Sequence, residues 1–462
     1  MRPRVLACFA FAASAFMTTG ASAADDAQKG PYLQHLTSTS VDVEVELAKA
    51  SRVTVDVAPQ PDGRAGVKPM VFESPSATFH AVHVAGLTPG ARYKYVVHVA
   101  QGPTLHGTFA TAPDDTSHAP FTFVVYGDNR TDGPAHERVV HALAAESFDF
   151  LVHTGDFVIE GDDDAAWQAF FDIEEPVLRD HCLFACVGNH ELFNDREAAH
   201  FERYFGPSAP VSPTAPPPPV YGTFRWGRAR FFLLNAFTNW ADGPERAWLT
   251  DVLTRTDQEA GVDLRVAVMH QGPYSAGPHG GNRAILASHV DELLAAHHVD
   301  LVLAGHDHIY ERGEAKGLKY VVTGGGGAPL YTDLKALPST RKVEATYNYV
   351  LATVTDDKVT ILAKRPDGSI VDQCSFARGG SWACDAPKAA PSAPAPPIAA
   401  SVPTPPSSPG SCGCDVAGKP AGWGGLALIG ALAVLVRRRA TRVRSSRGSP
   451  RGRRRRDASR SG

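Results

Sequence analysis

An all-β sandwich followed by an α/β layered domain is the architecture this 462-residue sequence predicts. Residues 29–113 read as alternating strands punctuated by turns. From residue 119 onward, apolar strand-like runs alternate with helical ones, the pattern of layered α/β folds. Five of those strand runs end in glycine, aspartate, asparagine or histidine, at the edge where ligands of open α/β sheets collect. The chain is too long for a single core, so two domains plus extra segments are expected. A hydrophobic content of 43% with 20% charged residues is ordinary for a globular protein and needs no disulfide framework.

The first 23 residues carry Arg2 and Arg4, an apolar run and then Ala21-Ser22-Ala23, the pattern of a cleaved secretory signal. Export permits disulfides. Of seven cysteines, Cys8 leaves with the signal, Cys374 and Cys384 lie in a loop-rich stretch and could pair, and Cys182 and Cys186 flank a strand as packing residues. In SVDVEVELA, Val41, Val43 and Val45 share one face, and SRVTVDVAP, ATFHAVHVAGL and ARYKYVVHV repeat the alternation. GLTPGARYKY resembles the corner of a fibronectin type III domain through Leu87, Pro89, Gly90 and Tyr93, and TFATAP closes the region at 113.

In the second region FTFVVYGD, FDFLVHTGD, CLFACVGN, LRVAVMHQ, DLVLAG and LKYVVTGG read as strands. PAHERVVHALAAE, DAAWQAFFDIEEPVLRD and PERAWLTDVLTRT read as helices, and VYGTFRWGRARFFLLNAF as a hairpin. AILASHVDELLAAHHV predicts one helix with Leu286, Val290, Leu293 and Leu294 on a stripe. TYNYVLATV and KVTILAKR form a last pair, and the proline-rich insert at 207–219 is a surface loop.

Residues 386–415 form a Pro/Ala/Ser-rich linker unable to build a core. An apolar segment follows at 421–436, slightly short of the roughly 20 residues of a full span, then an Arg-rich tail at 437–462 that would hold that end in the cytoplasm. The tail holds twelve arginines and one aspartate, which leaves −15 of charge on the rest. The basic run is therefore no sign of nucleic acid. Linker, Cys412-Gly-Cys414, apolar segment and arginines together resemble the C-terminal sorting tags of myxobacterial surface proteins, which implies anchoring in the envelope through one of those cysteines. A plain single-span anchor is the alternative.

The strand ends carry the chemistry: Asp128, Asp156, Gly188-Asn189-His190-Glu191, His270, then His306 and His308. In LVLAGHDH alternate side chains leave one face together, so the last two imidazoles project side by side. A lone carboxylate there is readily a helix cap and a lone histidine readily packing; five strand ends in chain order are not explained that way. Phosphate esters need charge neutralisation and an activated nucleophile, which two metal ions ~3.5–4 Å apart supply. Carboxylate, carboxamide and imidazole suit zinc, iron or manganese.

The order GD, GD, GNHE, MH, GHDH is similar to the metallophosphoesterase (calcineurin-like) superfamily. GPYLQ, the fibronectin-like region and GHDHIYER resemble its purple acid phosphatase branch, over about residues 29–365. The resemblance implies a four-layer α-β-β-α sandwich at 119–376. It implies an exported phosphohydrolase with two divalent or trivalent ions (Fe, Zn or Mn), hydrolysing phosphate esters by attack of a metal-bridging hydroxide. Carried over by position, the first ion takes Asp128, Asp156 and His308. The second takes Asp156, Asn189, His270 and His306, with Asp156 as the bridge. His190 faces the leaving group as acid or phosphate contact, His279 holds phosphate, and Tyr310, Glu311 and His153 support the site.

Two positions depart from the pattern. Ile159 stands where the purple branch has its iron-binding tyrosine, and Arg130 where other members carry a histidine. The first site is therefore expected to be the weaker and colourless. Arg130 binds a phosphate oxygen through paired hydrogen bonds or pairs with Asp132 or Glu160. The expected partner is a small phosphate ester; the acidic body disfavours nucleic acid. The alternatives are a phosphodiesterase or nucleotidase of the same superfamily, and a catalytically weak surface protein that binds through its sandwich.

Overall fold

The computed structural model describes residues 27–60, 68–195, 197–207 and 220–384. The expectations for 1–23, 386–415, 421–436 and 437–462, and nearly all of the insert at 207–219, lie outside the described residues.

The first sheet contains β1 (Ala27–Gln34), β2 (Ser40–Gln60), β3 (Met70–Ala85), β4 (Arg92–Val99) and β5 (Thr104–Ala110). SVDVEVELA and SRVTVDVAP, read as separate strands, are one 21-residue strand, β2. The linking Ala48-Lys49-Ala50 offers no glycine or proline to turn on, so the chain runs through an irregularity in the β2–β3 pairing instead. β1 borders the first half of β2 and β4 the second. Val41, Val43 and Val45 from one half and Val53, Val55 and Val57 from the other share one buried cluster with Tyr93, Tyr95 and Val97. A continuous sheet thereby makes both layers of the sandwich.

The second region runs β6 (Phe121–Tyr126), α1 (Gly133–Leu143), β7 (Phe150–His153), α2 (Asp164–Leu178), β8 (Leu183–Ala185), α3 (Ala199–Phe205), β9 (Gly222–Trp226), β10 (Ala229–Leu234), α4 (Pro244–Asp257), β11 (Leu264–Met269), α5 (Arg283–Ala287), α6 (Val290–Ala296), β12 (Leu301–Ala304), β13 (Tyr310–Ala315), β14 (Leu318–Thr323), β15 (Thr340–Glu344), β16 (Tyr349–Val354), β17 (Val359–Lys364), β18 (Ile370–Phe376) and β19 (Ala383–Cys384). Two seven-stranded sheets result, ordered β19-β18-β17-β16-β6-β7-β8 and β15-β13-β14-β12-β11-β10-β9. Phe123, Phe150 and Phe184 of the first meet Phe224 and Phe231 of the second, with Phe184 stacked on Phe224 at 3.7 Å between centroids. The outer face of the first sheet packs on α1, α2 and α3, and that of the second on α4, α5 and α6. These are the four α-β-β-α layers.

The helix expected from AILASHVDELLAAHHV is broken into α5 and α6. His289 takes a left-handed φ of 53°, and Arg246 draws the Ser288 carbonyl away at 2.6 Å. Val290 and Leu294 remain buried while Leu286 and Leu293 are only half-buried. Helices α1 and α2 start as their sequences demand, with Asp132 and Asp163 accepting from the first free amides. Cys374 and Cys384 form a disulfide, within the β18–β19 ladder rather than in loops. Cys182 and Cys186 are free and buried, as packing residues should be.

Glu245 in the first turn of α4 is wholly buried. One oxygen accepts from the Asn235 amide and the other has no partner. Burial pushes its carboxyl up to about 8. The unfolded chain releases that proton at about 4.3, so this stabilising proton is fully held below the unfolded value and lost as pH rises through the folded one. Glu245→Gln should therefore raise stability at pH 8.5 by about 2–4 kcal/mol more than at pH 4.5. Urea unfolding at the two pH values checks this, and equal shifts would contradict it.

Candidate metal centre

β6, β7 and β8 are parallel neighbours, as are β10, β11 and β12 in the facing sheet. Their C-terminal ends deliver the expected residues to one place. The chain makes these deliveries through sharp turns. Asp128, Asp156 and His306 each follow a glycine and each take a positive φ, of 60°, 63° and 69°. For residues with a Cβ this conformation costs roughly 1 kcal/mol or more and persists where surrounding contacts over-determine it. The glycines are there for room. A Cβ on Gly188 would stand 2.3 Å from Asp156 Oδ1, and one on Gly305 2.2 Å from Asp128 Oδ2.

Asp128, Asp156 and His308 bring one donor atom each within 4.8 Å of one another. His270 Nε2 lies 3.2 Å from Asp156 Oδ1, and His306 Nδ1 lies 3.1 Å from His270 Nε2. Carbonyl oxygens only accept, so His270 Nδ1 donates to Thr154 O (2.6 Å) and His308 Nδ1 to Pro329 O (2.7 Å). Both rings thus turn Nε2 inward, the arrangement by which supporting carbonyls orient metal-binding imidazoles. The His306 amide holds both Asp128 oxygens, at 3.0 and 2.9 Å.

The residues fit cations. Asn189 Oδ1 is buried and has no hydrogen-bond partner, an arrangement that is costly unless something binds there. Burial drives the Asp128 carboxyl well above the usual range, His270 opposing and Asp156 adding to the shift. At Asp156 burial is outweighed by His270, His190 and Arg130, which hold its carboxyl far below the usual range. Burial, then the charge on His270, pushes His306 down to about 2; burial also takes His308 to about 4, with Arg130 contributing. Opposing Asp156 and Asp128 outweigh burial at His270 and raise it to about 9. His306 and His308 therefore stay uncharged, with lone pairs to offer, beside two buried acidic groups and a carboxamide oxygen that has no partner.

Around this centre stand His190, His279 and Arg130. His190 Nδ1 donates to Ile159 O at 2.6 Å, leaving Nε2 3.9 Å from Asp156 Oδ2. Ile159 itself is 46% exposed. His279 Nδ1 donates to Asp307 Oδ1 at 2.9 Å, and its ring lies 4.5 Å from that of His306. Arg130 pairs with neither Asp132, which caps α1, nor Glu160, which accepts from Asn194. Its Nε instead donates to Asp156 Oδ2 at 3.0 Å, and one terminal nitrogen is 3.4 Å from His308 Nε2. Sequence spacing could not show that a residue 26 positions away would lie closer than its acidic neighbours.

Three supporting residues escaped the sequence reading. Glu191 accepts from the amides of Asp156, Phe157 and Gly188 and ties the second strand end to the third. Asp307 accepts from Ser275 and His279. Tyr331 stacks on His308 at 4.3 Å. The first two sit inside GNHE and GHDH, where the flanking histidines and asparagine drew the attention. Tyr331 had no local signal. His153 bonds Asn129 (2.7 Å), Tyr310 bonds Asp372 (2.8 Å) and Glu311 accepts from the Ala276 amide (2.6 Å), so all three are structural supports.

Residues 121–310 match the calcineurin-like phosphoesterase family profile. No curated protein matches the chain at a significant level. Among solved structures, the chain is similar to a purple acid phosphatase from yellow lupin (Lupinus luteus) seeds, with 16% identity and a TM-score of 0.64 over 75% of this chain and 74% of that one. It is similar also to PhoD, with 13% identity and a TM-score of 0.62 over 78% of this chain and 92% of that one. At such identities these likenesses speak for the fold. Together the family profile and the Asp/His cluster point to a dimetal site, and residues 121–310 of this chain are a calcineurin-like phosphoesterase domain.

Proposed function

We propose that the chain is an exported, metal-dependent phosphohydrolase acting on small phosphomonoesters. The observation that carries the reading is the buried convergence of Asp128, Asp156 and His308, with His270 and His306 against it and an unpartnered oxygen on Asn189, next to the His190 amide that binds Asp156. Asp128, Asp156 and His308 would hold the first ion; Asp156, Asn189, His270 and His306 the second. Two ions there would neutralise phosphate charge and supply an activated water. Iron, zinc and manganese all suit the donors. Arg130 lies against two of the three first-site residues, so a cation entering there meets a fixed positive charge, and this site is the weaker.

The other groups are the chain's own. His190 keeps its Nε2 free beside the bridging aspartate, where it can pass a proton to a leaving oxygen. His279, steered by Asp307, and Arg130 offer donors to phosphate. A monoester dianion presents three terminal oxygens to such donors and a diester only two, which favours the monoester. The Cys374–Cys384 disulfide supports export, and the basic tail with its apolar segment supports envelope anchoring.

The test uses protein loaded with each metal in turn, comparing p-nitrophenyl phosphate with bis(p-nitrophenyl) phosphate. The monoester should be favoured at least about tenfold in kcat/KM, the effect of one lost charged contact. A ratio favouring the diester would make the protein a diesterase. Arg130→Ala should weaken inhibition by inorganic phosphate by about tenfold; an unchanged inhibition constant would remove Arg130 from the substrate site.

A further inference from the structure

In the first half of β2, residues 41–47, both faces are covered, and only one is apolar. Val41, Val43 and Val45 enter the core. Asp42, Glu44 and Glu46 point the opposite way, as alternation requires, and are covered rather than wet, Glu46 by Arg203 and Tyr204 of α3 and Asp42 by His35 and His83. Glu46 is well supplied there, with Lys29 at 2.7 Å, Arg203 at 2.8 Å and the Tyr204 hydroxyl at 3.0 Å. Glu44 is not. It is 3% exposed, and its Oε2 accepts no well-formed hydrogen bond, the Tyr32 hydroxyl being the polar group beside it. Glu202 on α3 likewise leaves both carboxylate oxygens without a hydrogen bond. Unpaired buried carboxylates are among the costliest groups a fold can carry.

Two histidine nitrogens reach Asp42, one at each oxygen. His35 follows β1 in a left-handed conformation, φ 51°. Its Nε2 donates to Gly206 O at 3.0 Å, and its Nδ1 lies 2.9 Å from Asp42 Oδ2. His83 stands opposite Asp42 in the β2–β3 register and places Nδ1 2.6 Å from Asp42 Oδ1. One donor atom from each of His35, Asp42 and Glu44 lies within 4.8 Å of the other two. Burial pushes the Glu44 carboxyl up to about 8, so a carboxylate there requires added positive charge.

We propose that His35, Asp42 and Glu44 form a second metal site on the face of the sandwich that lies toward the phosphoesterase region, with His83 orienting Asp42 through its other oxygen. One imidazole nitrogen and two carboxylate oxygens, with a fourth position left to water, suit zinc. The ligands all come from the sandwich, and His35 also donates to Gly206 O just after α3, so an ion there would fix the ring that links the two regions. Its role is structural, since none of these residues belongs to the phosphoester site.

The test takes the full chain, stripped of metal and reloaded with zinc. Anomalous scattering at the zinc edge should show a peak among His35, Asp42 and Glu44 in addition to those at the phosphoester site. By elemental analysis the Asp42→Asn/Glu44→Gln variant should bind one equivalent fewer than the wild type, keep its phosphatase activity and lose a zinc-dependent part of its melting temperature. Those substitutions remove buried charge, so the variant is expected to fold without the ion. His83 is 64% exposed, and His83→Ala should fold normally and weaken zinc at this site by about tenfold. Equal zinc content in wild type and double variant, or no anomalous peak at this seam, would overturn the site.

Discussion

His270→Ala is expected to remove metal and turnover together. The ring is fully buried at the end of β11. It is fixed by its bond to Thr154 O, with Nε2 3.2 Å from Asp156 Oδ1 and 3.1 Å from His306 Nδ1. No neighbour can replace that nitrogen, because Gly155 and Gly188 pack the surrounding turns so closely that even a Cβ has no space. The variant should hold about one equivalent of metal less per chain. Turnover should fall by on the order of 10³, the scale of losing preorganised charge stabilisation. Elemental analysis and a phosphomonoester assay on the same preparation check both. Full metal content in the variant would detach His270 from the centre. Negligible turnover already in the metal-loaded wild type, with partner affinity unchanged in the variant, would favour the surface-binding alternative, in which the sandwich does the work.

Both the centre and its scaffold were legible for one reason: strand ends are local. GD, GD, GNHE, MH and GHDH each follow an apolar run, and parallel strands put those ends on one edge without further information. Legibility failed where a distant partner decided. Helix α5 stops because Arg246 claims a carbonyl of the following residue, and nothing in AILASHV announces it. The strand runs in SVDVEVELAKASRVTVDVAP are continuous because a sheet neighbour tolerates the irregularity between them. The alternation of that stretch correctly placed its valines on one face and said nothing of what meets the acidic residues between them. In the structure α3 covers Glu46, and α3 itself was not foreseen. Arg130 shows the same limit at the centre. Its sequence neighbours were the candidates for pairing, and its contact is Asp156 from the next strand end.

His190→Ala should give a different signature from His270→Ala, and the contrast assigns the roles. His190 reaches Asp156 only at 3.9 Å, with its other nitrogen tied to Ile159 O, so its loss leaves every proposed metal ligand in place. Metal content should be unchanged. A proton donor matters most when the leaving oxygen is basic. Turnover of an alkyl phosphate should therefore fall by about 10²–10³, within the range of general acid catalysis. p-Nitrophenyl phosphate, whose leaving group needs little help, should lose about tenfold or less by the same reasoning. A general acid also shapes the alkaline limb of the pH–rate profile, and that limb should flatten in the variant for the alkyl ester alone. Equal losses on both substrates, with the limb intact, would make His190 a phosphate contact, because a residue that only grips the terminal oxygens has no means of sensing which alcohol departs.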